Sequence, residues 1–123
     1  MKKEDQVKYL ANIFYLLLSD GEVETVEKRV YEGIARDIGA GYLERKAATE
    51  SAESDLFHFQ YVDRWSDRVR NLEDLLFAAF CNGVSNPDEK RHIKSYLKPL
   101  RINQEQVNIL ISEAKRRYKD FTT

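Results

Sequence analysis

The sequence is poor in cysteine, proline and glycine, with one, two and five of these residues in a chain of 123. A lone cysteine excludes an internal disulfide, so we expect a reducing compartment. The longest apolar run, residues 9–18, is interrupted by Asn12 and is much shorter than the ~20 residues of a membrane-spanning helix. The N-terminal residues soon carry acids and lack the small-residue cleavage site of a secretory signal. These absences predict a cytoplasmic protein without direct membrane insertion.

No charge of one sign dominates either, because the chain has 20 Lys and Arg residues and 21 Asp and Glu residues, which give a net charge of −1. Such a balance gives no overall field for attracting a nucleic acid, so we expect none as a partner. The sequence also lacks a nucleophile elbow, a Walker loop and a dinucleotide-binding glycine pattern. We therefore expect that the protein is not an enzyme.

What the sequence does contain is apolar residues, 42% of the total, spaced three and four apart along six segments. This spacing predicts an all-α fold, and the length suits a single domain over residues 1–123 with one core. The third helix has few large apolar residues and should be the more exposed one. Ser66 is the expected N-cap of the fourth. The predicted helices cover about 3–20, 26–38, 42–54, 66–82, 87–100 and 104–121.

An aromatic-rich segment, "DLFHFQYVDRW", joins the third and fourth predicted helices. Phe57, Phe59 and Tyr61 alternate as in a strand, whereas Phe57, Tyr61 and Trp65 share one face of a helix, and the pattern leaves both open. The rings would either complete the core between the two halves of the chain or form a protein-binding surface. On the second interpretation, the partner-binding residues are Phe57, Phe59, Tyr61 and Trp65.

The chain also repeats itself. One constant shift, the repeat offset, lays Val7 on Val69 and aligns 7–55 with 69–117 without a gap. The alignment places Gly21 on Gly83 and the Glu-Lys-Arg run at 27–29 on the same run at 89–91. It predicts two related three-helix units packed face to face and joined by the aromatic segment.

The stretch "SDGEVETVEKR", residues 19–29, imitates the second half of a calcium-binding EF-hand loop. Asp20, Gly21 and Glu27 match its fifth, sixth and twelfth places. The first and third places are Leu16 and Leu18, which offer no side-chain oxygen and exclude a true EF-hand. A cation here would need another arrangement.

Asp20, Glu24 and Glu27 are the candidate metal ligands of this turn, with Glu22 as a further oxygen donor. An all-oxygen set suits Ca²⁺ or Mg²⁺, whereas zinc would want the Cys or His that this stretch lacks. A divalent cation is therefore the one cofactor that the sequence suggests.

Helix capping explains the same acids without a metal. In the second copy, Asn86, Pro87 and Glu89 follow the order of an N-cap, a first-turn proline and the closing residue of a capping box. Glu27 holds the place that corresponds to Glu89, where a negative charge near a helix N-terminus is stabilising. Capping and cation binding both remain open for the first turn.

Three stretches together resemble the tellurite-resistance TerB-like family: "SDGEVETVEKR", its echo "CNGVSNPDEKR", and "RINQEQVNILISEAKRR". The Asp-Gly pair followed by Glu six places later is complete at Asp20, Gly21 and Glu27, whereas Asn82 replaces the acid in the second copy. The resemblance implies an all-helical fold, a role in bacterial stress systems and acidic residues proposed to bind divalent cations. It implies no catalytic activity.

The remaining candidates have structural explanations. His58 and His92 are ordinary histidines with no cysteine nearby, and Cys81 is a small buried residue near a helix end. The basic cluster at 115–119 complements a helix C-terminus, with phosphate binding as its alternative.

The sequence thus favours a non-enzymatic cytoplasmic interaction module of the TerB-like type with a protein partner, linked to metal or tellurite stress. The alternative is a divalent-cation sensor that binds Ca²⁺ or Mg²⁺ at the first Asp-Gly turn.

Overall fold

The computed structural model describes residues 1–18, 23–82 and 87–122, apart from the side chains at 87–90 and 92. Within these ranges all regular structure is helical, which confirms the predicted all-α fold. None of the helices there combines the length and hydropathy that a membrane span requires. They are α1 (Lys3–Leu17), α2 (Thr25–Asp37), α3 (Tyr42–Ala52), α4 (Trp65–Cys81), α5 (Pro87–Leu97), a 3-10 helix (Lys98–Leu100) and α6 (Gln104–Thr122).

The helix boundaries agree closely with the predicted ones except at two places. The predicted end of the first helix at Asp20 lies outside the described residues. Ser66 as the N-cap of α4 is wrong, because α4 begins one residue before it, at Trp65. Arg64 is the N-cap residue, with an extended backbone, and its carbonyl already accepts the Arg68 N–H at 3.0 Å. Ser66 therefore lies inside the first turn.

Helix α1 lies at the centre and packs against α3 and α4, while α4 packs in turn against α6. Ala48 and Ala52, with their small side chains, are the two buried residues of α3, and the rest of that helix is exposed or half-buried. The core draws on both halves of the chain. Its largest fully buried apolar side chains include Tyr9, Leu10, Ile13, Leu16, Leu17, Ile34, Leu72, Leu75 and Tyr96.

The segment at 57–62, for which both strand and helix were open, has neither structure. The Asn12 side chain holds its backbone. Asn12 Nδ2 donates to the Gln60 carbonyl at 2.7 Å, and the Gln60 N–H donates to Asn12 Oδ1 at 3.0 Å. The same amide donates to Asn71 Oδ1 at 2.9 Å, so one buried asparagine ties this segment to α1 and α4.

The helices begin at matching places in the two halves. α1, α2 and α3 start at positions 3, 25 and 42, and α4, α5 and α6 start at 65, 87 and 104, so each pair is separated by the repeat offset. The same offset separates the two described residues with positive φ, Gly39 at 75° and Arg101 at 55°. Their N–H groups donate three residues back, to Arg36 and Lys98.

Candidate functional site

The acidic turn supplies the capping box that the sequence suggested. Glu24 is the N-cap of α2, and its side chain accepts from the backbone of Glu27, the third helical residue. In return, Glu27 Oε1 accepts the Glu24 N–H at 3.2 Å. Glu27 is buried and Glu24 is exposed. This reciprocal arrangement satisfies two donors that the start of a helix otherwise leaves unpaired.

The cation interpretation of the same turn depends on Asp20 and Glu22, which lie outside the described residues. Among the residues that the structure does describe, no three Asp, Glu, His or Cys side chains are grouped closely enough to hold a metal ion. The predicted site at Asp20, Glu24 and Glu27 therefore stays a prediction.

The aromatic segment divides into two parts. Phe57, Phe59 and Tyr61 are half-buried and pack against the core. Phe57 lies 4.7 Å from Tyr15, and Tyr61 lies 4.7 Å from Tyr96, both measured between ring centroids. The Tyr61 hydroxyl also donates to the Tyr96 carbonyl at 2.7 Å. These three rings thus join α1 to α5, whereas Trp65, the fourth predicted partner-binding residue, lies apart from them.

Trp65 is 58% exposed and forms one wall of an apolar groove between the beginnings of α4 and α6. The indole N–H donates to the Leu100 carbonyl at 3.3 Å, which fixes the ring at the groove. The groove has a volume of about 210 Å³ and is also lined by Ile109, itself 56% exposed. Its lining residues are Trp65, Val69, Ile102, Gln106, Ile109 and Leu110.

The two halves differ in side-chain size at the positions of the groove. At the positions that the repeat aligns with Ile109 and Leu110, α3 carries Ala47 and Ala48, and Ala48 is fully buried. The distance between packed helices depends on the side chains at their contact. The alanines of α3 are thus smaller than the residues that α6 carries at the equivalent positions.

Ile109, Ile102 and Val69 are groove residues that the sequence reasoning did not identify. Ile109 lies off the apolar face of α6, whose inward side chains include Leu110 and Ile111. The signal that could have indicated Ile109 is a large apolar residue on the otherwise polar face of a helix.

A conformational outlier lies beside the groove. Arg101, between Leu100 and the groove residue Ile102, has φ 55° and ψ 38°, the left-handed helical conformation. This conformation costs an ordinary L-residue roughly 1–2 kcal/mol. Glycine adopts it readily, and Gly39 fills the corresponding position in the first half. The second half thus carries a strained arginine where the first has an unstrained glycine.

A buried carboxylate connects three helices beneath the surface. The Tyr9 hydroxyl of α1 and Arg117 Nη1 of α6 donate to the two oxygens of Asp74 on α4, the latter at 2.6 Å. The Arg117 guanidinium also lies 4.0 Å from the Phe77 ring centroid. Burial, reinforced by the Asp74 charge, raises the pKa of Tyr9 well above its usual range. Asp74 thereby stabilises the packing of α1, α4 and α6.

The remaining predicted candidates lie apart from the groove. His58 is exposed, and the His92 side chain lies outside the described part of the chain. Burial raises the pKa of Cys81 to about 11, so its thiol is protonated at neutral pH. In the basic cluster, Arg116 pairs with Glu113 and Arg117 with Asp74. Two of its arginines thus have intramolecular carboxylate partners.

No protein family model, curated protein or solved structure matches this chain.

Proposed function

We propose that this chain is a non-enzymatic cytoplasmic interaction module whose partner protein binds the groove between α4 and α6. The observation that carries the proposal is the pair Trp65 and Ile109, two large apolar side chains that are more than half exposed and that line the same apolar groove, one from α4 and the other from α6. Tryptophan is among the residues that contribute most to protein–protein binding. Exposed apolar groups that line a concave surface are typical of interaction sites.

The fold proposal is a single domain of two related three-helix units of the TerB-like type, joined by the segment at 57–62. It is supported by the constant repeat offset between helix starts and by the equivalent packing of α3 on α1 and α6 on α4. The Asp20, Gly21 and Glu27 pattern supports the family resemblance. With that family comes the proposal of a role in bacterial metal or tellurite stress.

The second candidate function is a divalent-cation sensor at the start of α2. The specific observation in its favour is that Glu24 and Glu27 already lie together there, joined through the Glu24 N–H. With Asp20 they would supply an all-oxygen set for Ca²⁺ or Mg²⁺. Cation binding would then change the surface offered to a partner.

Capture of partners from the native cell tests the proposed function. The full chain, tagged at one end, is compared with Ile109→Ser and with the control Leu43→Ser, which removes an apolar side chain 72% exposed on α3. We expect a set of proteins that wild type and Leu43→Ser retain and Ile109→Ser loses. If no captured protein depends on Ile109, the groove is not the partner surface.

The same capture, repeated with Ca²⁺ or Mg²⁺ and with a chelator, separates the two candidate functions. A partner set that is independent of the cation favours the simple module. A set that appears only with the cation favours the sensor.

A further inference from the structure

Three cationic residues without side-chain partners are close in sequence to the residues that line the Trp65 groove. Arg64, Lys98 and Arg101 are exposed, and in the described part of the chain none of their side chains makes an ion pair or a hydrogen bond. Arg64 directly precedes Trp65. Lys98 and Arg101 lie on either side of Leu100, whose carbonyl holds the Trp65 indole. Along the chain, all three are therefore within two residues of Trp65 or of the Leu100 carbonyl that holds it.

Two exposed carboxylates, Asp63 and Glu105, are also close in sequence to the groove residues. Glu105 lies in the first turn of α6, and Asp63 lies just before α4. Negative charges at these places are offset by the positive ends of the helix dipoles. Lys98 and Arg101 lie at the C-terminal end of the 3-10 helix, where a positive charge is favourable, but none of the three cations has a carboxylate partner in the described residues, so they remain available to an anionic group.

Arg101 is the most informative of the three because its backbone is strained. It is the one non-glycine residue with positive φ in the described ranges, at a position where the other half of the chain has Gly39. Strained residues persist where function requires the side chain, and such outliers are a reason to look for that function. Next to the groove residue Ile102, an arginine whose guanidinium is unpaired is suited to a carboxylate, which its planar fork binds through two hydrogen bonds.

We infer that the groove binds an acidic amphipathic segment of a partner protein, with an apolar side chain between Trp65 and Ile109 and a carboxylate on Arg101. This inference rests on the proposed function and specifies the chemistry of the partner. The volume of about 210 Å³ lies below the ~300–1,000 Å³ of typical small-molecule sites. It suits the anchoring side chains of a helix that lies in a groove, with apolar residues one turn apart.

Trp65 provides the assay, because it is the only tryptophan in the chain and its emission reports on the groove. The probes are three helical peptides of about 15 residues that lack tryptophan and share two leucines one turn apart. The first carries glutamates beside the leucines, the second glutamines and the third lysines. We expect the glutamate peptide to shift Trp65 emission to the blue, the glutamine peptide to bind about tenfold more weakly or worse, and the lysine peptide to bind least.

Substitutions at Arg101 separate binding from folding. Arg101→Gly should weaken binding of the glutamate peptide about tenfold or more, and yet raise the melting temperature by a few degrees because the backbone strain is relieved. Arg101→Asn, which is neutral and tolerates the left-handed conformation, should lose binding similarly. Arg101→Lys keeps the charge without the fork and should bind at an intermediate level. A mere structural role for Arg101 would not give a more stable protein that binds less.

Four results would overturn the inference: equal binding of the glutamate and glutamine peptides, preference for the lysine peptide, no emission change with any peptide, or unchanged binding by Arg101→Gly. Emission that changes with protein concentration, together with sedimentation as a dimer, would assign the groove to a second copy instead. The capture experiment keeps the two proposals distinct. Partners lost by Ile109→Ser but kept by Arg101→Gly would leave the proposed function standing and remove the acidic partner.

Discussion

At the scale of single residues, Asn12 shows why a polar side chain interrupts the apolar run of α1. The residue is fully buried, and its amide bonds the backbone of Gln60 and the side chain of Asn71. A half-buried backbone segment without regular structure needs such partners, because unpaired polar groups are costly away from water. From the sequence, Asn12 could be read only as an interruption, since its partner lies 48 residues away.

We expect Asn12→Ala to lower the free energy of unfolding by about 1–3 kcal/mol, because it leaves the half-buried Gln60 N–H and carbonyl without their partner. Urea denaturation measures the loss. The control Asn108→Ala removes an exposed asparagine of α6 and should stay within about 0.5 kcal/mol of wild type. Equal effects of the two substitutions would contradict the role assigned to Asn12.

Replacing Gly33 and Gly39 by alanine should change the stability in opposite directions. A Cβ at either Gly33 or Gly39 meets nothing within 4 Å, so steric contact does not distinguish them. Gly39→Ala should destabilise by about 1 kcal/mol, since φ of +75° is unfavourable for alanine. Gly33→Ala, in the interior of α2, should stabilise by about 0.5–1 kcal/mol through helix propensity. Thermal unfolding of both variants is the measurement, and shifts in the same direction would contradict this account.

At the scale of elements, the start of α2 separates the two candidate functions by a cation titration. A sensor predicts that Ca²⁺ or Mg²⁺ stabilises the protein by about 2.7 kcal/mol at a hundredfold excess over its dissociation constant, which is several degrees in melting temperature. Glu27→Gln should abolish that shift, because glutamine can still complete a capping box but lacks the charge. The simple interaction module predicts no shift with millimolar cation.

The helical elements were predictable because each has one apolar face, and that spacing is local in sequence. The features that were not predictable depend on distant contacts. The start of α4 at Trp65 includes an indole bond to Leu100, and the path of residues 57–62 depends on Asn12. To predict the groove from the sequence, one would need to know how α6 packs against α4. That packing depends on side chains from both helices. The sequence indicates Trp65 as a candidate because it belongs to an aromatic cluster. Ile109 belongs to no such cluster, so the sequence does not single it out.

At the scale of the whole molecule, buried groups with raised pKa values make stability fall at alkaline pH. Desolvation is the main cause of the raised pKa of Tyr9, Tyr31, Tyr96 and Cys81. Each therefore loses its proton at a lower pH in the unfolded chain than in the native protein. Their contribution is constant below about pH 7.5 and is lost progressively as pH rises past the unfolded pKa values of about 8.5 for cysteine and 10 for tyrosine.

We expect urea denaturation to show a steep fall in the free energy of unfolding above pH 9. Tyr31→Phe removes one titrating hydroxyl, which donates to the Arg45 carbonyl at 3.1 Å, and should make the fall less steep. The control Tyr42→Phe changes a tyrosine that is exposed and should leave the slope unchanged. A stability that does not depend on pH between 9 and 11 would contradict the burial of these groups.

The two halves of the molecule differ in what they leave uncovered. In the first, α3 closes on α1 through Ala48 and Ala52. In the second, α6 carries Leu110 and the exposed Ile109, and a strained Arg101 replaces the glycine. The differences gather around Trp65, which is why the proposed partner surface lies there.

Crosslinking from inside the groove tests this central claim most directly. Ile109 is replaced by the photoreactive residue benzoyl-phenylalanine in the full chain, and Leu43 is replaced in a control, with irradiation in the native cell. We expect one discrete protein adduct from residue 109 that an excess of the glutamate peptide suppresses, and none of that size from residue 43. No adduct from residue 109, or the same adduct from both positions, would contradict the assignment of the groove as the partner surface.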